Sequence, residues 1–316
     1  MQEIYHRYPD GNRMKTFFLL MSGKTLTSHN EQNINITMEQ AKIHDLSIKK
    51  MPTGISSLDP MMEGGIPPGS VVLLLSEIGA GSYEFIYSSV LSISSMKSQN
   101  QVSDKIIVPS SIRYVTFTKM SDDVKREMIL SFYPDLLSGL EKIQFDDLSQ
   151  LYFDASVVPI DWYSKGDIVA RLQNRNNRDI LSQLSLIFGP GADNNLIVLD
   201  SLTDLATQYA ETPRWGDLMA FMRGLQRIAK QFNTTIYLPL AMGILDLKNE
   251  REIADIADAV ILFHWEESTA ARRQRVMYFE KFRGLMPHLE EKDLVKFSVR
   301  ISDAIGFEVS NIRVII

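Results

Sequence analysis

A continuous apolar run that ends in a glycine-rich turn constrains the fold of this chain more than any other segment. The run covers residues 70–75 and reads SVVLLL. A strand that is apolar on both faces is typical of the centre of a parallel sheet. Gly79-Ala80-Gly81 follows, and Ser82 to Met96 then has the apolar spacing of an amphipathic helix. A strand, a glycine-rich turn and a helix in this order predict an α/β fold whose turn can hold a phosphate group.

The same alternation continues along the chain. Further strands are predicted at 114–117, 196–199, 235–239 and 259–263, and further helices at 122–132, 168–188 and 215–232. Three last runs, at 276–282, 295–301 and 307–314, are typical of hairpin strands. We therefore expect a mainly parallel central sheet flanked by helices, with an antiparallel C-terminal hairpin region.

The N-terminal residues differ in character from the rest. Residues 22–35 are rich in Ser, Thr, Asn and Gln, so we expect 1–44 to be a flexible arm and 45–316 to be a single domain. The apolar run at 17–21 is shorter than the ~7–15 residues of a signal-peptide core. No run in the sequence reaches the ~18–20 apolar residues of a membrane span. These features predict a cytoplasmic protein with no membrane contact.

Composition excludes several classes of protein. The chain has no cysteine, which excludes disulfides and thiolate metal sites and fits a reducing compartment. Its histidines show no spacing typical of metal ligands, so no metal site is predicted. Lys and Arg number 33 against 39 Asp and Glu, a net charge of −6, which argues against a nucleic-acid partner.

The glycine-rich turn departs from a standard phosphate-binding loop. Residues 76–83 read SEIGAGSY against the pattern G-x-x-x-x-G-K-[ST]. Gly81 holds the second glycine position, but Ser76 stands at the first, Ser82 replaces the lysine and Tyr83 replaces the metal-binding hydroxyl residue. Loss of the lysine removes a charge-assisted contact of about 1.5–3 kcal/mol. On these residues alone, a turn without a ligand remains an alternative.

Several short motifs, in order along the chain, resemble those of the KaiC-like ATPases of the RecA superfamily, found in archaea and cyanobacteria. The resemblance covers about residues 45–310. The motifs are TGISSLD (53–59), GGIPPGS (64–70), YVTF (114–117), LIVLDSLT (196–203), IADAVIL (256–262) and EKFRG (280–284).

The resemblance implies a RecA-like P-loop NTPase core, but three functional elements of the family are changed. The phosphate lysine and the metal-binding hydroxyl are replaced at positions 82 and 83. The two acidic residues that follow the YVTF strand in the family, one of which polarises the attacking water, are here Thr118 and Lys119. Neither can act as a general base, so no catalytic residue is predicted. The resemblance therefore implies a degenerate, inactivated member.

A degenerate nucleotide site is the candidate functional site. Its candidate residues are Gly79, Gly81, Ser82, Tyr83, Asp200, Lys281 and Arg283. In the family, the residue at Asp200 helps to hold Mg²⁺ through water, and those at Lys281 and Arg283 reach a neighbouring subunit's nucleotide. The alternatives are a strand-end Asp200 that caps the next turn, and two solvated cations.

Three functions are compatible with these residues. The first is a non-catalytic interaction or regulatory module, in signal transduction by family analogy, which binds protein partners, paralogous KaiC-like subunits or its own copies. The second is an ATP-binding protein or slow ATPase, with ATP and Mg²⁺ as cofactors, that uses Lys119, Lys281 or Arg283 as substitute cations. The third is a DNA-binding recombinase relative, against which the acidic charge argues. Arg272, Arg273 and Arg275 make one hairpin basic, either as a partner surface or as a solvated hairpin.

Overall fold

Strands and helices alternate through most of the chain. The computed structural model describes residues 49–96, 106–154, 156–163, 179–189, 191, 193–267 and 273–312. The strands are β1 (Val71–Ser76), β2 (Ile112–Thr116), β3 (Ile143–Asp147), β4 (Leu196–Asp200), β5 (Thr235–Ala241), β6 (Ala259–Glu267), β7 (Arg273–Phe282), β8 (Lys296–Ser302) and β9 (Gly306–Asn311). The α-helices are α1 (Ser82–Met96), α2 (Ser121–Ser131), α3 (Ser149–Asp154), α4 (Ile160–Tyr163), α5 (Ile180–Ile187), α6 (Leu202–Thr207), α7 (Trp215–Phe232), α8 (Leu247–Ile256) and α9 (Met286–Glu291), and Leu136–Lys142 form a 3-10 helix.

The nine strands that the structure describes belong to one sheet, whose two parts differ in strand direction. The strand order is β3-β2-β4-β5-β1-β6-β7-β8-β9. From β3 to β6 neighbouring strands pair in parallel, and from β6 to β9 they pair antiparallel. The fold class predicted from the sequence is therefore confirmed.

The central position of β1 explains its apolar sequence. All six of its residues are buried, and β5 and β6 pair with it on either side. Val72 and Leu74 point into the core shared with α1, whereas Val71, Leu73 and Leu75 point into the core shared with α7. Because successive side chains of a strand point to opposite faces, a strand covered on both faces needs an unbroken apolar run.

The TGISSLD motif forms a closed turn around one carboxylate. The Asp59 carboxylate accepts hydrogen bonds from the Thr53 hydroxyl at 2.6 Å, the Thr53 N–H at 2.7 Å and the Gly54 N–H at 3.0 Å. Burial raises the pKa of Asp59, although these three hydrogen bonds act in the opposite direction. The motif therefore fixes the backbone before β1 and has a structural role.

The sequence predictions can be compared with the observed elements one by one. The helix predicted at 215–232 has the same bounds as the observed helix α7. The predicted strands begin and end within a few residues of the observed strands. Of the helix predicted at 168–188, the structure describes only the last part, where α5 covers Ile180–Ile187. The arm predicted at 1–44 lies outside the described residues, so the domain division stays a prediction. The sequence analysis did not predict β3 or α8.

Candidate functional site

The turn between β1 and α1 is bound by groups of β6 and β7. The Trp265 indole N–H donates to the Ile78 carbonyl at 3.1 Å, and the Arg275 Nε donates to the Gly79 carbonyl at 3.0 Å. The Glu77 carboxylate accepts from the Trp265 N–H at 2.8 Å, which lowers the pKa of Glu77, and lies 3.1 Å from His264 Nδ1. The chain's own groups on β6 and β7 therefore hold this turn against the sheet.

Glycine is required at the second glycine position of the turn. Gly79 and Gly81 have φ of +73° and +112°, which glycine adopts without strain. A Cβ at Gly81 would lie 3.1 Å from Ile301 Cδ1 and 3.4 Å from Phe307. Within the described residues, the N–H groups of Gly79 and Gly81 find no acceptor. The turn thus keeps free backbone donors, as a phosphate-binding loop does.

Two tyrosines hydrogen-bond to the Asp200 carboxylate at the end of β4. Asp200 is 4% exposed. The Tyr83 hydroxyl donates to Oδ1 at 2.9 Å, and the Tyr114 hydroxyl donates to Oδ2 at 2.8 Å. Burial raises the pKa of Asp200, although both hydrogen bonds and the charge of Lys119 act against it. Burial also raises the pKa of Tyr83 and Tyr114, so both remain neutral donors.

Lys119 lies on the outer side of this tyrosine cluster. Its Nζ is 4.8 Å from the centre of the Tyr83 ring and 3.0 Å from the Glu127 carboxylate. Glu127 also accepts from the Tyr87 hydroxyl at 2.6 Å. Burial raises the pKa of Glu127, but the hydrogen bonds from Tyr87 and Lys119 outweigh it and lower the pKa overall. The lysine that stands at a family glutamate position is thus an ion-pair partner.

Thr118, which precedes Lys119, also has a local partner. The Thr118 hydroxyl donates to the Asp204 carboxylate at 3.3 Å. Asp204 in turn accepts from the Ser201 hydroxyl at 2.6 Å, and Ser201 caps α6. Thr116 lies opposite Asp200 in the β2–β4 pair, and its buried hydroxyl has no hydrogen-bond partner among the described residues.

The predicted site residues fall into two groups at opposite ends of the sheet. Gly79, Gly81, Ser82, Tyr83 and Asp200 lie together at the carboxyl ends of the parallel strands. Lys281 and Arg283 lie at the amino end of β6, where Phe282 pairs with Ala259.

At that end, both cations bind the C-terminus of α8. Lys281 Nζ donates to the carbonyls of Ala254 at 3.0 Å and Asp255 at 2.7 Å. Arg283 donates to the Asp255 carbonyl at 3.1 Å. Cations are favourable at a helix C-terminus, which explains these contacts without a nucleotide. Within one subunit, neither residue reaches the turn at 77–81.

Several residues of the site were not found from the sequence. Glu127 and Trp265 belong to no motif, Tyr114 was noted only as part of the YVTF strand, and Arg275 was noted only for its charge. The hairpin residue Arg272 lies outside the described residues. In the part of the chain that the structure describes, no group of three or more His, Asp or Glu is placed to hold a metal. No helix among these residues is long and apolar enough to cross a bilayer.

The strand order and the glycine turn after β1 define an α/β fold with a mainly parallel central sheet. No family model matches the chain, and no curated protein matches its sequence. Among solved structures, the chain is similar to the flagellar accessory protein FlaH from Methanocaldococcus jannaschii, at 18% identity and a TM-score of 0.53, over 83% of this chain and 99% of FlaH. It is also similar to a KaiC-like protein from Pyrococcus horikoshii, at 19% identity and a TM-score of 0.50, again over 83% and 99%. The chain has the KaiC-like RecA-superfamily fold.

Proposed function

We propose that this chain is a non-catalytic protein of KaiC-like fold that works as an interaction or regulatory module and carries a degenerate nucleotide site. The observation that carries the proposal is the state of Asp200. Both of its carboxylate oxygens already accept a tyrosine hydroxyl, one of them from Tyr83 in the place of the metal-binding hydroxyl residue. These residues do not fit Mg²⁺, because the aspartate that in the family holds the metal through water is buried here and each of its oxygens already accepts a tyrosine hydroxyl.

The charges around the turn support the same conclusion. Ser82, in the place of the phosphate lysine, is 6% exposed and uncharged. Lys119 is paired with Glu127, and Arg275 is bonded to the Gly79 carbonyl. At the two positions of the family glutamates, Thr118 and Lys119 offer no carboxylate to orient a water molecule. A polyanion would therefore meet the backbone N–H groups of Gly79 and Gly81 without the family's lysine, and no carboxylate at these two positions is available to activate water.

The partners follow from this proposal. A protein without nucleotide chemistry acts through its surfaces, so we infer protein partners, paralogous KaiC-like subunits or further copies of this chain. Signal transduction is the process that the fold suggests by analogy. Nucleic acid is disfavoured by the net charge of −6, and the absence of cysteine supports a cytoplasmic location.

Calorimetric titration with ATP and Mg²⁺ tests the proposal. We expect no heat of binding from the parent and measurable binding from the double variant Ser82→Lys/Tyr83→Thr, because the variant restores the phosphate cation and frees one oxygen of Asp200. Circular dichroism of both proteins controls for folding. Micromolar binding by the parent would refute the proposal. If a folded double variant also fails to bind, the loop no longer has the shape of a phosphate site and its description as a nucleotide site is wrong.

A second candidate is an ATP-binding protein or slow ATPase with a substitute cation. Its support is Lys119, whose Nζ lies 4.8 Å from the Tyr83 ring at the edge of the site. Under this function, Lys119→Ala weakens ATP affinity about tenfold or more, since a charge-assisted contact is lost. Lys125→Ala is the matched control, because Lys125 is an exposed lysine of α2 that pairs with Asp122. Equal affinities of the two variants would exclude Lys119 as the substitute cation.

A further inference from the structure

One exposed surface of the chain combines an apolar residue at the tip of a turn with a stacked tryptophan and two arginines. Ile78 is 88% exposed at the turn after β1. The guanidinium carbons of Arg273 and Arg275 lie 4.6 Å and 4.5 Å from the centre of the Trp265 ring. Ile78, Trp265, Arg273 and Arg275 are called the loop–hairpin surface below.

Hydrogen bonds make this surface continuous. The Trp265 indole N–H donates to the carbonyl of Ile78, and Arg275 donates to the carbonyl of the next residue, Gly79. Trp265 and Arg275 face each other in the β6–β7 pair. The hydrogen bond from Trp265 fixes the backbone of Ile78, and the Ile78 side chain points into solvent. A pre-organised surface loses little conformational entropy when a partner binds.

The arginines of this surface are not held in ion pairs. In the described part of the chain, neither Arg273 nor Arg275 makes a salt bridge, although Glu267 lies opposite Arg273 in the β6–β7 pair and the charge of Arg273 contributes to the lowered pKa of Glu77. Two of the nearby carboxylates have closer partners, since Glu77 contacts His264 at 3.1 Å and Glu266 contacts Lys296 at 2.7 Å. Both guanidinium groups thus keep N–H donors for an external carboxylate, with which arginine forms bidentate bonds.

We propose that the loop–hairpin surface binds an acidic segment of a partner protein that also carries an apolar side chain for Ile78. Trp and Arg are the residue types that dominate binding energy at protein interfaces. The carboxylates of the segment pair with Arg273 and Arg275, and its apolar residue covers Ile78 beside Trp265. This inference deepens the proposed function and rests on it, because it names the surface through which the interaction module acts.

A nucleic acid fits this surface less well than a protein does. An 88%-exposed isoleucine has no phosphate or sugar partner, whereas it fits an apolar pocket of a protein. Single-stranded nucleic acid binds in grooves lined by many basic residues, whereas the described part of this surface has two arginines.

The test uses a displayed library of random short peptides selected on the full chain. We expect the selected peptides to be rich in Asp, Glu and large apolar residues. A synthetic peptide from the selection should bind about tenfold or more weakly to Ile78→Ser and to Arg273→Ala, as measured by fluorescence anisotropy. Arg273 is preferred to Arg275, because loss of Arg275 would also release the Gly79 carbonyl.

Two control variants remove an apolar side chain and a cation at sites outside the loop–hairpin surface. Leu130→Ser removes an apolar side chain that is 79% exposed on α2, and Lys248→Ala removes an exposed cation of α8. Both should leave peptide affinity unchanged. The inference is overturned if no peptide is selected, if the peptides lack acidic residues, or if all four variants bind alike.

Other outcomes separate this inference from the proposed function. Salt-dependent binding of a labelled single-stranded DNA that is lost in Arg273→Ala would assign the surface to nucleic acid and overturn the protein partner. Failure of peptide binding, with no ATP binding by the parent, would overturn the surface alone. ATP binding by the parent together with peptide binding at Ile78 would instead overturn the non-catalytic function and keep the surface.

Discussion

Gly65→Ala should lower the free energy of unfolding by about 4 kcal/mol, as a strained backbone and an unavoidable overlap add together. Gly65 has a φ of +125°, which L-residues rarely adopt. A Cβ at this position would fall on the carbonyl oxygen of Met51 and lie 2.7 Å from Pro52 Cα. That carbonyl accepts the Ile66 N–H at 2.7 Å, so it cannot move without loss of the bridge between residues 51 and 66. Urea unfolding followed by circular dichroism measures the loss.

The neighbouring glycine provides the matched control. Gly64 has a φ of +109°, but the nearest atom to its Cβ position is 3.8 Å away, on Ile106. Gly64→Ala should therefore lose only the strain contribution, about 1–3 kcal/mol. If both variants lose the same free energy of unfolding, the positive φ alone accounts for the loss and the contact with Met51 contributes nothing.

The fold could be predicted from the sequence where local pattern and burial agree. The unbroken apolar run of β1 indicates a strand between two covered faces, and α7 shows an apolar stripe that ends at Asn233 in the left-handed conformation. β3 was missed because its sequence, IQFDD, is an edge strand with one fully buried residue. α8 was missed because half of its ten residues are charged and it buries only Ile253 and Ile256.

The site could be predicted only in part, because its contacts join distant parts of the chain. The turn, Tyr83 and Asp200 were identified from motif positions. The motif indicates that Tyr83 cannot hold a metal as threonine does, but it does not indicate where the hydroxyl goes. The bond from Tyr83 to Asp200 spans 117 residues, and Tyr114 reads as one more apolar residue of a strand.

The binding of the turn to β6 and β7 depends on register, which sequence pattern does not supply. Trp265 and Arg275 meet because β6 and β7 pair with Trp265 opposite Arg275. A shift of that register by one residue would place both side chains on the other face of the sheet. The basic hairpin was therefore visible in the sequence, whereas its contact with the Gly79 carbonyl was not.

Asp200→Ala should lower the free energy of unfolding by about 2–4 kcal/mol, because it leaves two tyrosine hydroxyls without an acceptor in a buried site. Tyr114 is fully buried, so water cannot replace the lost carboxylate there. Asp200→Asn is the matched variant. The Asn amide can accept a hydrogen bond from one tyrosine hydroxyl and donate one to the oxygen of the other. The free energy of unfolding of Asp200→Asn should therefore fall by less than about 1.5 kcal/mol. Thermal and urea unfolding at neutral pH compare the two.

The same pair of proteins, parent and Asp200→Asn, gives a pH dependence of defined sign. Burial raises the pKa of Asp200 in the folded protein above the ordinary value of about 3.9. Between these two pKa values the folded state binds more protons, so the contribution of Asp200 to stability is complete below the ordinary pKa and is lost as pH rises through the folded pKa. The stability of the parent relative to Asp200→Asn should therefore increase from pH 7 toward pH 4.

Carboxylates with lowered pKa, such as Glu77 and Glu127, act in the opposite direction but are common to both proteins. A difference that stays constant with pH would mean that the hydrogen bonds from the two tyrosines balance the effect of burial on the pKa of Asp200. A difference that grows toward neutral pH would mean that the tyrosines stabilise the charged carboxylate more than burial disfavours it.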